Sequence, residues 1–205
     1  MSNNEITLQV VEVTQRIGTF YSASISAKDL VQISYADVRR IEERDVEKYL
    51  GIQRPLDEKR VKKIKKYLTS PDAAFPTGVV LSIDQRCTEF DQHGQLILRP
   101  YNSDFADEES IPLNKVAKIL DGQHRIAAFV NDFWGFDDEL WETIGQTFDF
   151  NVNVFIGIDI DEQANIFEIA LRFHLSLEKN NKHSDEKDIQ SVGLVGATKP
   201  TTNKY

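Results

Sequence analysis

Lys115-Val116-Ala117-Lys118-Ile119-Leu120-Asp121-Gly122-Gln123-His124-Arg125-Ile126-Ala127-Ala128-Phe129-Val130 is the stretch on which the reading of this chain turns. Lys115 to Leu120 is short and apolar enough for a buried strand. Asp121-Gly122 is a turn signal, and from Gln123 to Phe133 the residues Ile126, Ala127, Phe129 and Val130 recur at helical spacing, facing inward. The stretch predicts a strand that turns directly into a helix. The first N–H groups of a helix have no intrahelical acceptors, and with the helix dipole they favour an anion, phosphate above all.

On either side of this junction strand and helix signals alternate. Ile6 to Thr14 and Gly18 to Ser26 are rich in β-branched and aromatic residues and predict a hairpin closed by Gln15-Arg16-Ile17. Lys28 to Glu47 predicts short helical pieces. After Pro55, the residues Leu56, Val61, Ile64 and Leu68 form the apolar stripe of an amphipathic helix, with Asp57 and Glu58 in its first turn and Ser70-Pro71 at its end. Val79 to Ile83 predicts a buried strand, Gln95 to Leu98 another after the His93-Gly94 turn, and Tyr101 to Ser110 a solvated acidic loop. Phe148 to Ile158 predicts a further strand. Asp161, as N-cap, opens a helix to about Leu177 that buries Ile166, Phe167, Ala170, Leu171 and Phe173. The fold class expected is α+β, a mixed sheet with flanking helices, in one domain over 1–177 followed by a polar tail over 178–205.

Composition narrows the function classes. A formal charge of −9 excludes a surface that is basic throughout, so nucleic-acid contact has to be local. The single cysteine, Cys87, cannot close an internal disulfide, which fits a reducing, cytoplasmic setting. No stretch approaches the ~18 apolar residues of a membrane span. His93, His174 and His183 have no metal-ligand spacing with one another or with Cys87, so no structural metal is expected.

Chemistry concentrates at Asp121 to Arg125. Arg125 can hold a phosphate through its planar fork, and His124 can donate, accept or shuttle a proton. Gly122 allows a close approach that a side chain would block, and the amides near Gly122 and Gln123 face the anion. Asp121 either caps the helix or supplies a hard oxygen ligand to a cation such as Mg2+. The bland alternative makes Asp121 a cap only, His124 a satisfied structural histidine and Arg125 a surface charge. A second feature is cationic. Arg54, Lys59, Arg60, Lys62, Lys63, Lys65 and Lys66 place seven positive charges within thirteen positions, either a DNA-phosphate stripe or a solvated helix face. Arg54, Arg60, Lys62, Lys63 and Lys66 are the DNA-contact candidates. Trp134 and Trp141, with Phe133, Phe136 and Leu140, suit packing behind the motif better than base stacking.

Ile119 to Ala128 resembles the signature of the DGQHR-domain proteins, which include the DndB proteins linked to DNA phosphorothioation and the DpdB proteins linked to deazaguanine DNA modification. Gln53-Arg54-Pro55-Leu56, the helix Arg60 to Leu68, and Phe75 to Ile83 follow in the group's order, so that the resemblance spans residues 20 to 175. The group continues past this point into a helical half, and the polar stretch after Leu177 departs from that pattern, as a short, degenerate or truncated member would. The group is similar to the ParB and sulfiredoxin superfamily, whose corresponding strand-to-helix motif binds nucleotide phosphates. Gln123 stands where sulfiredoxins carry their catalytic cysteine, which argues against sulfinic-acid reduction.

The resemblance implies a ParB/sulfiredoxin-like sheet and a place in a DNA-modification or phage-defence system. An enzyme would bind ATP or another nucleotide with Mg2+ and hydrolyse it, using Asp121, His124 and Arg125 as catalytic residues and Gly122, Gln123 and Arg125 to hold the nucleotide. A binding module would instead contact DNA or DNA-modification proteins without turnover, with self-association open. A nuclease is the third reading, and no carboxylate cluster compels it.

Overall fold

The computed structural model describes residues 5–36, 56–105, 108–130, 137–144, 148–170 and 172, without the side chains at 141 and 143. Contacts divide the chain into units over 1–167 and 168–205; within the second, Arg172 pairs with Glu168 one helical turn before it. In the first unit, β1 (Ile6–Leu8), β2 (Val10–Gln15) and β3 (Gly18–Ser26) are followed by α1 (Ala27–Ile33), β4 (Ser34–Tyr35) and α2 (Glu58–Leu68). Next come β5 (Val79–Ile83), β6 (Thr88–Phe90), β7 (Leu96–Leu98), β8 (Ala117–Asp121), α3 (Gln123–Ala127), α4 (Asp138–Ile144) and β9 (Asp149–Ile156). Residues 160–170 are helical.

The main sheet has the order β2-β3-β9-β5-β8-β4. It is mixed, because β9 runs parallel to β5 and β4 to β8, while β5–β8, β3–β9 and β2–β3 are antiparallel. A smaller sheet, β1-β7-β6, carries the His93-Gly94 turn, where Asp91 accepts from the His93 and Gln95 amides. The expected α+β class with a mixed sheet and flanking helices is the one found. The N-terminal hairpin forms from β2 and β3, but β1 separates from it and pairs with β7. Local β propensity cannot distinguish these partners.

Alternation along the central strands feeds two apolar clusters. Val79, Leu81 and Ile83 of β5 join Ile119, Ile126, Phe129, Phe150, Val152 and Val154 in the large one. Leu120, Phe155 and Ile166 form the small one, with Val80 packed against it. Phe75, Phe129, Phe148 and Phe150 make successive ring contacts with centroids 5.2–5.7 Å apart. These phenylalanines pack behind the junction; Phe133, Trp134, Phe136 and the Trp141 side chain lie outside the described residues.

Several boundaries differ from the sequence reading. Residues Leu113–Lys115 form a 3-10 turn, so β8 begins at Ala117 rather than Lys115, and it runs one residue further than expected, to Asp121. Ala128, not Ala127, is fully buried beyond the motif. The helix at 160–170 is capped by Asp159, two residues before the expected Asp161. Asp159 accepts from the Glu162 amide at 2.8 Å while Glu162 accepts from the Asp159 amide at 2.9 Å, a reciprocal capping box. Ile166 of this helix is buried as expected, whereas Leu171, Phe173 and the 178–205 tail lie outside the described residues.

Candidate functional site

The expected strand-to-helix junction is present, with a shorter first helix. β8 pairs with β5 through Leu81–Ile119 and then Val80–Asp121, skipping Leu120 in a β-bulge just before the turn. Gly122, rather than Asp121, takes the N-cap position of α3, with φ 99°. A Cβ there would stand 2.9 Å from Val79 Cγ2 and 3.0 Å from Arg125 Nη2, so glycine is needed both for the left-handed turn and for the close packing.

The motif side chains turn inward. Arg125 Nη1 donates to the Thr77 carbonyl and, at 3.0 Å, to the Thr77 hydroxyl. Its Nη2 donates to the Gly78 carbonyl at 3.0 Å and lies 3.4 Å from Asp121 Oδ2. Only 14% of the side chain is exposed. Burial lowers the guanidinium pKa from its usual value, partly countered by Asp121. In this arrangement the guanidinium is engaged by the Thr77 and Gly78 carbonyls, and a phosphate would reach it only after they release it. Gln123 lines a mainly apolar cavity of about 680 Å³ with Ile119, Ile126 and Val130. Among the described residues there is no group of three or more His, Cys, Asp or Glu able to hold a metal ion.

His124 points at the other feature singled out in the sequence. Its Nε2 accepts the Asp57 backbone N–H at 3.0 Å, which places the ring proton on Nδ1. Asp57 is also the N-cap of α2, its carboxylate accepting from the Lys59 and Arg60 amides at 2.9 and 3.2 Å. Burial, reinforced by the Arg60 charge, holds the imidazole pKa below its ordinary value, against the opposing pull of Asp57 and Asp121. The α2 helix is joined to the motif segment again further along. Lys65 pairs with Asp137, which is buried and whose amide donates to the Phe129 carbonyl at 2.8 Å.

Along α2, Val61, Ile64 and Leu68 pack on the large core, as their spacing predicts. Lys59, Arg60, Lys62, Lys63 and Lys66 are exposed. Of the other two cations, Lys65 is engaged by Asp137 and Arg54 lies outside the described residues. Asp121, Gly122, Gln123, His124 and Arg125 lie at the strand-to-helix junction that the sequence predicts. The sequence reading does not pair them with their partners Asp57, Thr77, Gly78 and Val79; the local signals there are Asp57 at the start of the amphipathic helix, the Pro76–Gly78 punctuation and the strand beginning at Val79.

A polar cavity of about 860 Å³ lies at the end of β5 remote from Asp121, lined by Ile83, Asp84, Arg86, Lys118, Gly157 and Gln163 among others. Arg86 is held there by Asp84 and Glu108 and lies over the Tyr101 ring.

The junction is thus turned by glycine, with Arg125 bracing the entry to a neighbouring strand, and comparison of the whole sequence decides the family. A family model described as "DndB: DNA-sulfur modification-associated" matches residues 8–185. The chain belongs to the DndB family. No curated protein and no solved structure matches it. Membership ties this DndB-family chain to DNA sulfur modification, a system in which DNA-modification proteins are plausible partners. No helix among its described residues is long and apolar enough to cross a membrane.

Proposed function

We propose that this DndB-family chain is a DNA-binding module of a DNA-sulfur modification system, contacting the duplex backbone through α2. The observation that carries the reading is the exposure of Lys59, Arg60, Lys62, Lys63 and Lys66 on a helix whose opposite stripe is packed into the core. Lys59, Lys62, Lys63 and Lys66 stand at positions i, i+3, i+4 and i+7 and so share one helix face as a continuous ridge. Lys59 to Lys66 spans about 10 Å of helix axis, a reach that suits about three successive phosphates on one strand. On an acidic chain such a ridge confines contact to one face. The contacts address phosphates, so affinity is sequence-tolerant and salt-dependent, and any recognition of modified DNA comes from elsewhere.

Duplex binding followed by fluorescence anisotropy over a salt series tests this. The wild-type chain should give a log K versus log salt slope of about −3, and Lys62→Glu with Lys63→Glu should weaken binding and flatten the slope by about 2. Absence of salt-dependent binding, or an unchanged slope in the double variant, would return α2 to a solvated helix face.

A further inference from the structure

Resting on the DNA reading of α2, we infer that His124 is a positioning residue that fixes the N-terminal end of the cationic helix for phosphate contact, and that releasing its bond to Asp57 weakens that contact. The bond from the Asp57 amide to His124 Nε2 joins residues 67 apart in sequence, and it ends on the residue that caps α2. The first cations of the ridge, Lys59 and Arg60, donate their own amides to the Asp57 carboxylate. Shifting Asp57 therefore shifts the backbone at Lys59 and Arg60, while the Lys65–Asp137 pair still holds α2 further along.

The linkage depends on an acceptor, and only neutral imidazole supplies one at Nε2. Burial of the ring, with Arg60 beside it, lowers the imidazole pKa against the opposing pull of Asp57 at the α2 terminus and Asp121 at the end of β8, and so favours the neutral form that accepts. Once protonated, Nε2 becomes a donor facing the Asp57 N–H, and the two groups repel. The sign of the effect on DNA is informative. Added positive charge beside a cationic ridge strengthens phosphate binding by simple electrostatics. Release of the latch predicts the reverse, weaker binding as pH falls through the His124 pKa.

The experiment measures duplex affinity at constant ionic strength from pH 7.5 down to the most acidic pH at which wild type stays folded, for wild type, His124→Gln and His124→Ala. Glutamine offers an uncharged acceptor at similar reach. The Asp57 amide is followed in parallel by NMR, and folding of each variant is checked by its thermal melt. The expected result is a wild-type affinity that falls with pH, a His124→Gln affinity close to wild type at pH 7.5 and flat below it, and a His124→Ala affinity reduced about five-fold throughout. The Asp57 amide resonance should titrate with His124 in the wild type and not in His124→Gln. Identical pH profiles in wild type and His124→Gln overturn the inference even if His124→Ala fails to fold, as does affinity that rises on acidification. If wild type shows no salt-dependent binding at pH 7.5, the DNA reading itself fails, an outcome separate from normal salt dependence with no role for His124.

Discussion

Arg125 Nη2 donates to the carbonyl of Gly78 at 3.0 Å, joining the last residue of the motif to the residue that enters β5. With Thr77 bound by the same guanidinium, the arginine braces two carbonyls against the junction. Arg125→Ala leaves the part-buried Gly78 carbonyl without its donor, frees the more exposed Thr77 carbonyl, and should cost about 1–3 kcal/mol in urea unfolding. Arg125→Lys should recover only part of this, because an ammonium cannot span both carbonyls with a fixed fork. Wild-type stability in Arg125→Ala would show that the bracing contributes nothing.

The same commitment bears on nucleotides. A thermal-shift panel of ATP, CTP and GTP, each with Mg2+, should leave Tm unchanged while Arg125 stays on Thr77 and Gly78. A ligand present at about one hundred times its Kd would stabilise by about 2.7 kcal/mol, a readily measured rise. Such a rise, lost in Arg125→Lys, would show that the fork can exchange carbonyls for phosphate and would assign the motif to nucleotide binding.

Gly122 sits where a side chain would be both strained and crowded. Its φ of 99° and the 2.9 Å approach of a would-be Cβ to Val79 Cγ2 act together. Gly122→Ala should therefore destabilise by more than about 1 kcal/mol. Combining it with Val79→Ala should relieve the clash but not the strain, so the two changes should cost less together than their sum predicts. Strict additivity in a double-mutant cycle would separate the turn from the packing.

The capping box places the start of the 160–170 helix. Asp159→Ala should lower stability by about 0.5–2 kcal/mol, whereas Asp161→Ala, at an exposed position inside the helix, should change it by no more than about 0.5 kcal/mol. The reverse order in thermal melts would move the cap to Asp161.

Acid stability tests the Lys65–Asp137 pair. Burial raises the Asp137 carboxyl pKa, but the Lys65 ammonium and the Leu140 and Glu139 amides outweigh it and hold the group below its usual value. A lowered carboxylate pKa contributes stability above the unfolded value, and that contribution is lost as pH falls through the folded one. Lys65→Met should thus flatten the dependence of Tm on pH between about 5 and 3. It should leave the DNA salt slope unchanged, since Lys65 is already paired, and a slope reduced as in the Lys62 and Lys63 variants would contradict that assignment.

The sequence by itself determined the local elements: the apolar runs of β5 and β8, the glycine turn, the 61–64–68 stripe of α2, and the alternation in β9. Each rests on spacing within a few residues, which fixes which face of a helix or strand is apolar. It also marked Asp121 to Arg125 as a polar group placed where a helix begins. Tertiary structure alone decided what those side chains meet. His124 finds Asp57 across 67 residues, Arg125 finds Thr77 and Gly78 across 48 and 47, and Lys65 finds Asp137 across 72. β1 likewise leaves its neighbour β2 to pair with β7. A spacing rule carries no information about such partners, because they are set by which strands lie side by side in the sheet and by which buried polar groups must then satisfy one another.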